Sequence, residues 1–134
     1  MHCENKYLSY FKYYRDEEIP SDFAWWYCLI DNKVYETTEL YNMFGYSSKD
    51  EIYATKNFIE FYRVDIIELK KKYLSKKNPN RYKALISLPD KNFDIKFNEY
   101  IDSNNLIQNW YEFEQDALRV VFLKWSFLNG IVLK

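Results

Sequence analysis

Two pairs of carboxylates stand four residues apart, Asp90 with Asp94 and Glu112 with Asp116. On a helix such a pair shares one face, and in a cleft one carboxyl would be pushed up far enough for general-acid work. Each pair also has a simpler account. Asp90 follows Pro89 at a helix start, where a carboxylate meets the positive end of the helix dipole; Glu112 and Asp116 sit beside Gln115 and Arg119 as solvated charges. The single histidine, His2, lies at the beginning of the chain, where little holds a side chain against a nucleophile. Cys3 and Cys28 form no C-x-x-C pair, and with His2 they lack zinc-site spacing. Gly45 and Gly130, the only glycines, are 85 positions apart and make no phosphate-cradling loop. The expectation is therefore a non-catalytic chain with reduced thiols, no metal and no cofactor.

Two other groups of residues point to binding. Lys70, Lys71, Lys72, Lys76, Lys77, Arg81 and Lys83 place seven cations in 14 residues without an acid among them, with Tyr73 and Tyr82 interleaved. Cations of this density can meet phosphates while a tyrosine stacks on an unpaired base. They also suit the negative end of a helix and a polar loop behind it. Trp25-Trp26-Tyr27 is the second group. On a strand, alternation sends Trp25 and Trp26 to opposite faces, leaving one of them outside the core unless a helix covers both. Exposed tryptophans and tyrosines are typical anchors of protein interfaces.

The elements that would carry these residues follow from periodicity and punctuation. Tyr7, Leu8, Phe11 and Tyr14 predict a short amphipathic helix closed by the turn near Pro20. Residues 25–31 and 34–37 predict a β-hairpin turning at Asn32-Lys33. Thr38 to Phe44 reads as one or two helical turns capped by Gly45, and Ser48-Lys49-Asp50-Glu51 as the capping box of a further helix. A third strand over 58–64 leads into a helix to about Lys77, which Asn78-Pro79-Asn80 stops, with a loop beyond. Further helices are predicted from Leu88-Pro89-Asp90 to Asn104-Asn105 and from about Leu106 to Asn129, the latter closed by Gly130. In that last helix Glu112, Gln115, Arg119 and Ser126 make a narrow polar stripe, surrounded by Phe113, Ala117, Leu118, Val120, Val121, Phe122, Leu123, Trp125, Phe127 and Leu128. Such a helix is either central and largely buried or offers part of its arc to another chain, with Leu123 and Phe127 on the flank that meets a second copy.

The whole is thus an α+β domain: a small antiparallel hairpin or sheet packed against a mainly helical C-terminal half. With 134 residues, one core and one domain over 1–134 are expected. Nearly equal numbers of acids and bases, 20 and 19, exclude a uniformly basic nucleic-acid binder. Lys, Asn, Ile, Tyr and Phe fill 62 positions, a pattern of A/T-rich codons in a bacterial or phage genome that accounts for many of the tyrosines without selection for recognition. The longest apolar run, Phe23 to Ile30, falls far short of a membrane span, so a cytoplasmic protein with no membrane partner is expected.

Phe93, Phe97, Trp110-Tyr111-Glu112-Phe113, Leu118, Trp125 and Gly130-Ile131 together resemble a small uncharacterised bacterial protein family whose members end in a WYxF stretch and a second Trp on one helix. The resemblance covers about the last 40 residues, with departures at Asn92, Phe122 and Ser126. It implies an α+β fold with a Trp-bearing terminal helix and no particular activity. The expected function is the binding of another protein, in the manner of small inhibitors, immunity proteins and antitoxins, with Trp25, Trp26, Tyr27, Leu123 and Phe127 as candidate contacts and a homodimer through the C-terminal helix as one form of it. The alternative is binding of single-stranded nucleic acid or phosphate through residues 70–83.

Overall fold

The structure, a computed structural model, describes residues 6–14 and 23–131, so His2, Cys3 and the turn near Pro20 lie outside the described residues. These residues gather into two compact units, each assembled from separated stretches: unit 1 from 6–11, 23–62 and 121–131, unit 2 from 12–14 and 63–120. The fold is α+β, with the three-stranded antiparallel sheet in unit 1 and a short parallel pair of strands in unit 2.

Unit 1 is organised by its central strand. Strand β2 (Trp25–Cys28) pairs antiparallel with β3 (Val34–Glu36) on one side and β4 (Phe58–Glu60) on the other, with Trp26 opposite both Tyr35 and Glu60. The strand ends at Cys28, three residues earlier than the sequence pattern suggests, and the hairpin turns through the loop 29–32. Asn32 takes the left-handed backbone (φ 59°), a conformation Asn tolerates and Lys does not favour, which moves the turn off the Asn32-Lys33 pair. The Asp31 carboxylate accepts the Lys33 N–H at 3.0 Å and closes the loop. Helix α1 (Thr37–Phe44) ends at Gly45 with φ 77°, and α2 (Lys49–Thr55) starts at Ser48, whose hydroxyl accepts the Glu51 N–H.

Both faces of β2 are covered, which explains its unbroken apolar run. One face puts Trp26 and Cys28 against Leu40, Ile52 and Phe58, and the Trp26 indole N–H donates to the buried hydroxyl of Thr37 at 3.0 Å. The other puts Tyr27 against Tyr7 and Trp125, with Phe11, Phe61 and Phe122 completing an aromatic cluster in which Phe61 and Trp125 stack at 4.4 Å. A helical turn at 6–8 and the 3-10 turn Ser9–Phe11 deliver Tyr7, Tyr10 and Phe11 to this cluster.

Unit 2 is helical. Strand β1 (Lys12–Tyr13) pairs in parallel with β5 (Val64–Asp65), and Asp65 then caps α3 (Ile66–Lys77) by accepting the Ile67 and Glu68 N–H groups. Helices α4 (Pro79–Leu85) and α5 (Asp90–Ser103) follow, then α6 (Ile107–Leu128), whose first part lies in unit 2 and whose last eight residues lie in unit 1. The core is Ile66, Ile67, Leu69, Tyr73 and Leu74 of α3 with Phe93, Phe97, Tyr100 and Ile101 of α5, Leu85 of α4 and Trp110 of α6. Helix α4 replaces the expected loop. Asn78 ends α3 and, with its side chain accepting the Arg81 N–H, caps α4, while Pro79 sits at the first helical position where its missing N–H costs nothing.

The terminal helix is long, as expected, and its burial is a further correction. Only Trp110, Glu114, Leu118, Phe122 and Trp125 are buried along its 22 residues, a single stripe at three- and four-residue spacing. One of the five is a carboxylate: Glu114 is held by Lys12 of β1 at 2.9 Å. The other positions are half-buried or exposed, so the helix is long but not the largely buried one expected from its apolar content.

Candidate functional site

What the buried stripe leaves outside is the candidate site. Val120, Leu123 and Phe127 follow at i, i+3 and i+7 on the outward face of α6 and are 68%, 51% and 84% exposed. At 100° per residue Asp116 falls between Leu123 and Phe127, and Lys124 beyond Val120, so all five lie within an arc of about 100°. The end of the helix is fixed by a double cap: Gly130, at φ 64°, donates to the Phe127 carbonyl at 3.2 Å, and Ile131 donates to the Ser126 carbonyl at 2.9 Å. Phe127 therefore stands on a closed helical turn, although four-fifths of it meets solvent. The opposite side of the same turns is anchored by Trp125, whose indole N–H donates to the Glu60 carbonyl at 3.0 Å. This apolar face is thus wet on one side and anchored on the other; other exposed apolar side chains stand at Leu29 and Ile30 and at Met43 and Phe44.

The tryptophan strand is corrected. Trp26 is fully buried and Tyr27 nearly so, and Trp25 is half-buried against Tyr10 and Phe23. Alternation does send the two indoles to opposite faces, but α1 and α2 cover one and the aromatic cluster the other. Trp25, Trp26 and Tyr27 therefore hold unit 1 together and cannot serve as exposed anchors.

The basic segment is likewise reduced. Lys70 is buried and its ammonium meets Asp94 and Asn98 of α5, above the Phe97 ring; Lys71 pairs with Asp90 at 3.1 Å above the Phe93 ring. Tyr73 lies in the core with its hydroxyl donating to Asn109. Tyr82 is half-buried, and the Arg81 guanidinium lies over the Tyr100 ring at 5.8 Å. Lys72, Lys76, Lys77 and Lys83 remain exposed, with no ion-pair partner among the described residues. Acids absent from the segment itself reach it from α5, 19 and 24 positions away.

The same contacts settle the first carboxylate pair. Asp90 and Asp94 each face an ammonium of α3, Lys71 and Lys70, and so are ion-pair partners in the α3–α5 contact. Glu112 accepts from Gln108, and Asp116 pairs with Arg119 at 3.0 Å. Cys28 is a free thiol, and burial pushes its pKa up, away from the reactive thiolate. Among the described residues no group of three or more His, Cys, Asp or Glu could hold a metal ion, and no helix is long and apolar enough to cross a membrane.

No family model, curated protein or solved structure matches the chain. The site therefore stands on its own geometry. Sequence reasoning reaches Leu123 and Phe127 as candidate contacts but not Val120, and it does not mark Glu114 as buried. Four-residue spacing from Trp110 through Glu114 to Leu118 and Phe122 is the signal that marks the buried stripe, and subtracting it exposes the face opposite.

Proposed function

We propose that this protein acts by binding protein and not by catalysis, with the outward face of α6 as its contact surface. One observation carries the reading: three large apolar side chains, more than half exposed, share one face of a capped helix whose other side is locked into a core. Burying such a face on a partner is favourable because it removes apolar area from water without first ordering the helix. Small inhibitors, immunity proteins and antitoxins work this way, and the chain is assigned to that functional class. The unpaired thiol of Cys28 supports a reducing compartment, the cytoplasm.

A photo-crosslinker placed at Leu123 tests the reading. It should give a discrete protein adduct, either from the purified chain or in host extract, that disappears when Phe127→Glu is added while the circular dichroism is unchanged. A crosslinker that finds nothing in both settings overturns it.

A second reading, phosphate contacts from the basic segment, keeps the support of four exposed lysines, Lys72, Lys76, Lys77 and Lys83. It requires binding to RNA or DNA oligomers at about 50 mM salt that weakens steeply as salt rises. Reversing Lys72, Lys76, Lys77 and Lys83 should abolish that binding, since these are the cations with no ion-pair partner among the described residues. An absence of binding at low salt removes the reading.

A further inference from the structure

We propose that the partner of the basic segment is double-stranded nucleic acid, held by its phosphates alone and without regard to base sequence. This rests on the phosphate-contact reading above and names its ligand.

The lysines supply the charge complementarity. Lys72 and Lys76 stand one turn apart on α3, about 6 Å along its axis, and both are exposed. Lys77 closes the same helix, and Lys83 of α4 is exposed beside the half-buried Tyr82. None of the four has an ion-pair partner among the described residues, and Glu68, the only acid within either helix, lies 3.8 Å from Lys71. Four ammonium groups are thus left for an anion outside the chain.

The rings decide the form of that anion. Binding of a single strand draws on aromatic faces where unpaired bases stack. The aromatic side chains of α3 and α4 are Tyr73 and Tyr82. Tyr73 is buried among Phe97, Trp110 and Phe113 with its hydroxyl donating to Asn109, and Tyr82 packs against the same core. The planar guanidinium of Arg81, the other group able to stack on a base, lies over the Tyr100 ring. What the two helices turn outward is ammonium, a point charge that positions a phosphate and reads no base. Without stacking, affinity follows charge density, and a duplex releases more counterions per contact than a single strand.

The experiment is fluorescence anisotropy of the full chain with short labelled DNA duplexes and their separated strands. A/T and G/C duplexes should bind alike, and at least threefold more tightly than either strand at about 50 mM salt. Duplex affinity should fall with salt at a log–log slope of about −3.6, the value for four phosphate contacts. Lys72→Gln, Lys76→Gln, Lys77→Gln and Lys83→Gln should each flatten that slope by about 0.9. Tyr82→Leu, checked by circular dichroism, should change neither affinity. Single strands that bind as tightly as duplex, or duplexes told apart by sequence, overturn this inference and leave the phosphate-contact reading standing. A slope that the lysine variants leave unchanged overturns the surface and both readings with it. Failure to bind duplex or single strand at about 50 mM salt likewise removes both, whether or not phosphatidylserine vesicles are bound instead.

Discussion

At the scale of single residues, the strongest constraint in unit 1 is one hydroxyl. Thr37 Oγ1 accepts the Ala24 N–H at 2.9 Å and the Trp26 indole N–H at 3.0 Å, all of it buried. Thr37→Val keeps the shape and leaves two buried donors unpaired, so urea denaturation should show a loss of about 3 kcal/mol, whereas Thr37→Ser should stay within about 1 kcal/mol. In unit 2 the corresponding residue is Glu114, whose charge Lys12 neutralises. Burial works to lower the Lys12 pKa, but the hydrogen bond and charge of Glu114 prevail and hold it above its ordinary 10.5. A raised lysine contributes stability that is fully present below the unfolded pKa and is lost as pH rises through the folded one, so the contribution should fade only in the alkaline range above about 10.5. Lys12→Met at neutral pH should cost about 3 kcal/mol by stranding the carboxylate, and adding Glu114→Leu should recover most of it.

At the scale of elements, the caps show what a sequence can announce. Gly45, Ser48 and Gly130 punctuate helices where local pattern places them, because a left-handed residue or a side-chain cap is a local requirement. Lys56 occupies the same left-handed position at the end of α2 (φ 59°) with nothing in its type to announce it. Lys56→Gly relieves that strain and should raise stability by about 0.5 to 1 kcal/mol, read as a shifted denaturation midpoint with an unchanged slope. Asn78-Pro79 illustrates a signal with two meanings: the pair that stops α3 also starts α4, and local reasoning sees only the stop. Lys70 and Lys71 fail for another reason. Their partners Asp94 and Asp90 come from a different helix, and no spacing within 70–83 reveals them. Likewise the apolar surplus of α6 was visible, but which stripe it buries depends on neighbours brought from elsewhere in the chain. Local chemistry was legible, and tertiary burial was not.

At the scale of the whole molecule, sequence order and spatial order diverge. Unit 1 draws on residues 6–11, 23–62 and 121–131, so its core is complete only when segments from far apart in the chain have met. A chain ending at Val120 would lack Phe122 and Trp125, which pack against Tyr7, Phe11 and Phe61. Removing two buried aromatics at once exceeds the marginal stability of a unit this small, so the truncated chain should show Trp26 in water by its red-shifted emission. An unshifted Trp26 signal would mean that the sheet and its two helices stand alone. Contacts this distant in sequence also predict slow folding relative to a helical bundle of equal size.

The nearness of the rings has an optical consequence. Tyr10 lies 4.9 Å from Trp25, Tyr53 5.2 Å from Trp26, Tyr73 5.4 Å from Trp110 and Tyr27 6.1 Å from Trp125, so each tryptophan has a tyrosine beside it. Excitation absorbed by those tyrosines passes to the indoles before it can be emitted. Although tyrosines outnumber tryptophans fourteen to four, the native chain should shine almost wholly as a tryptophan protein. Loss of either unit would then announce itself as a tyrosine band rising out of darkness, an unlabelled readout for every variant named above.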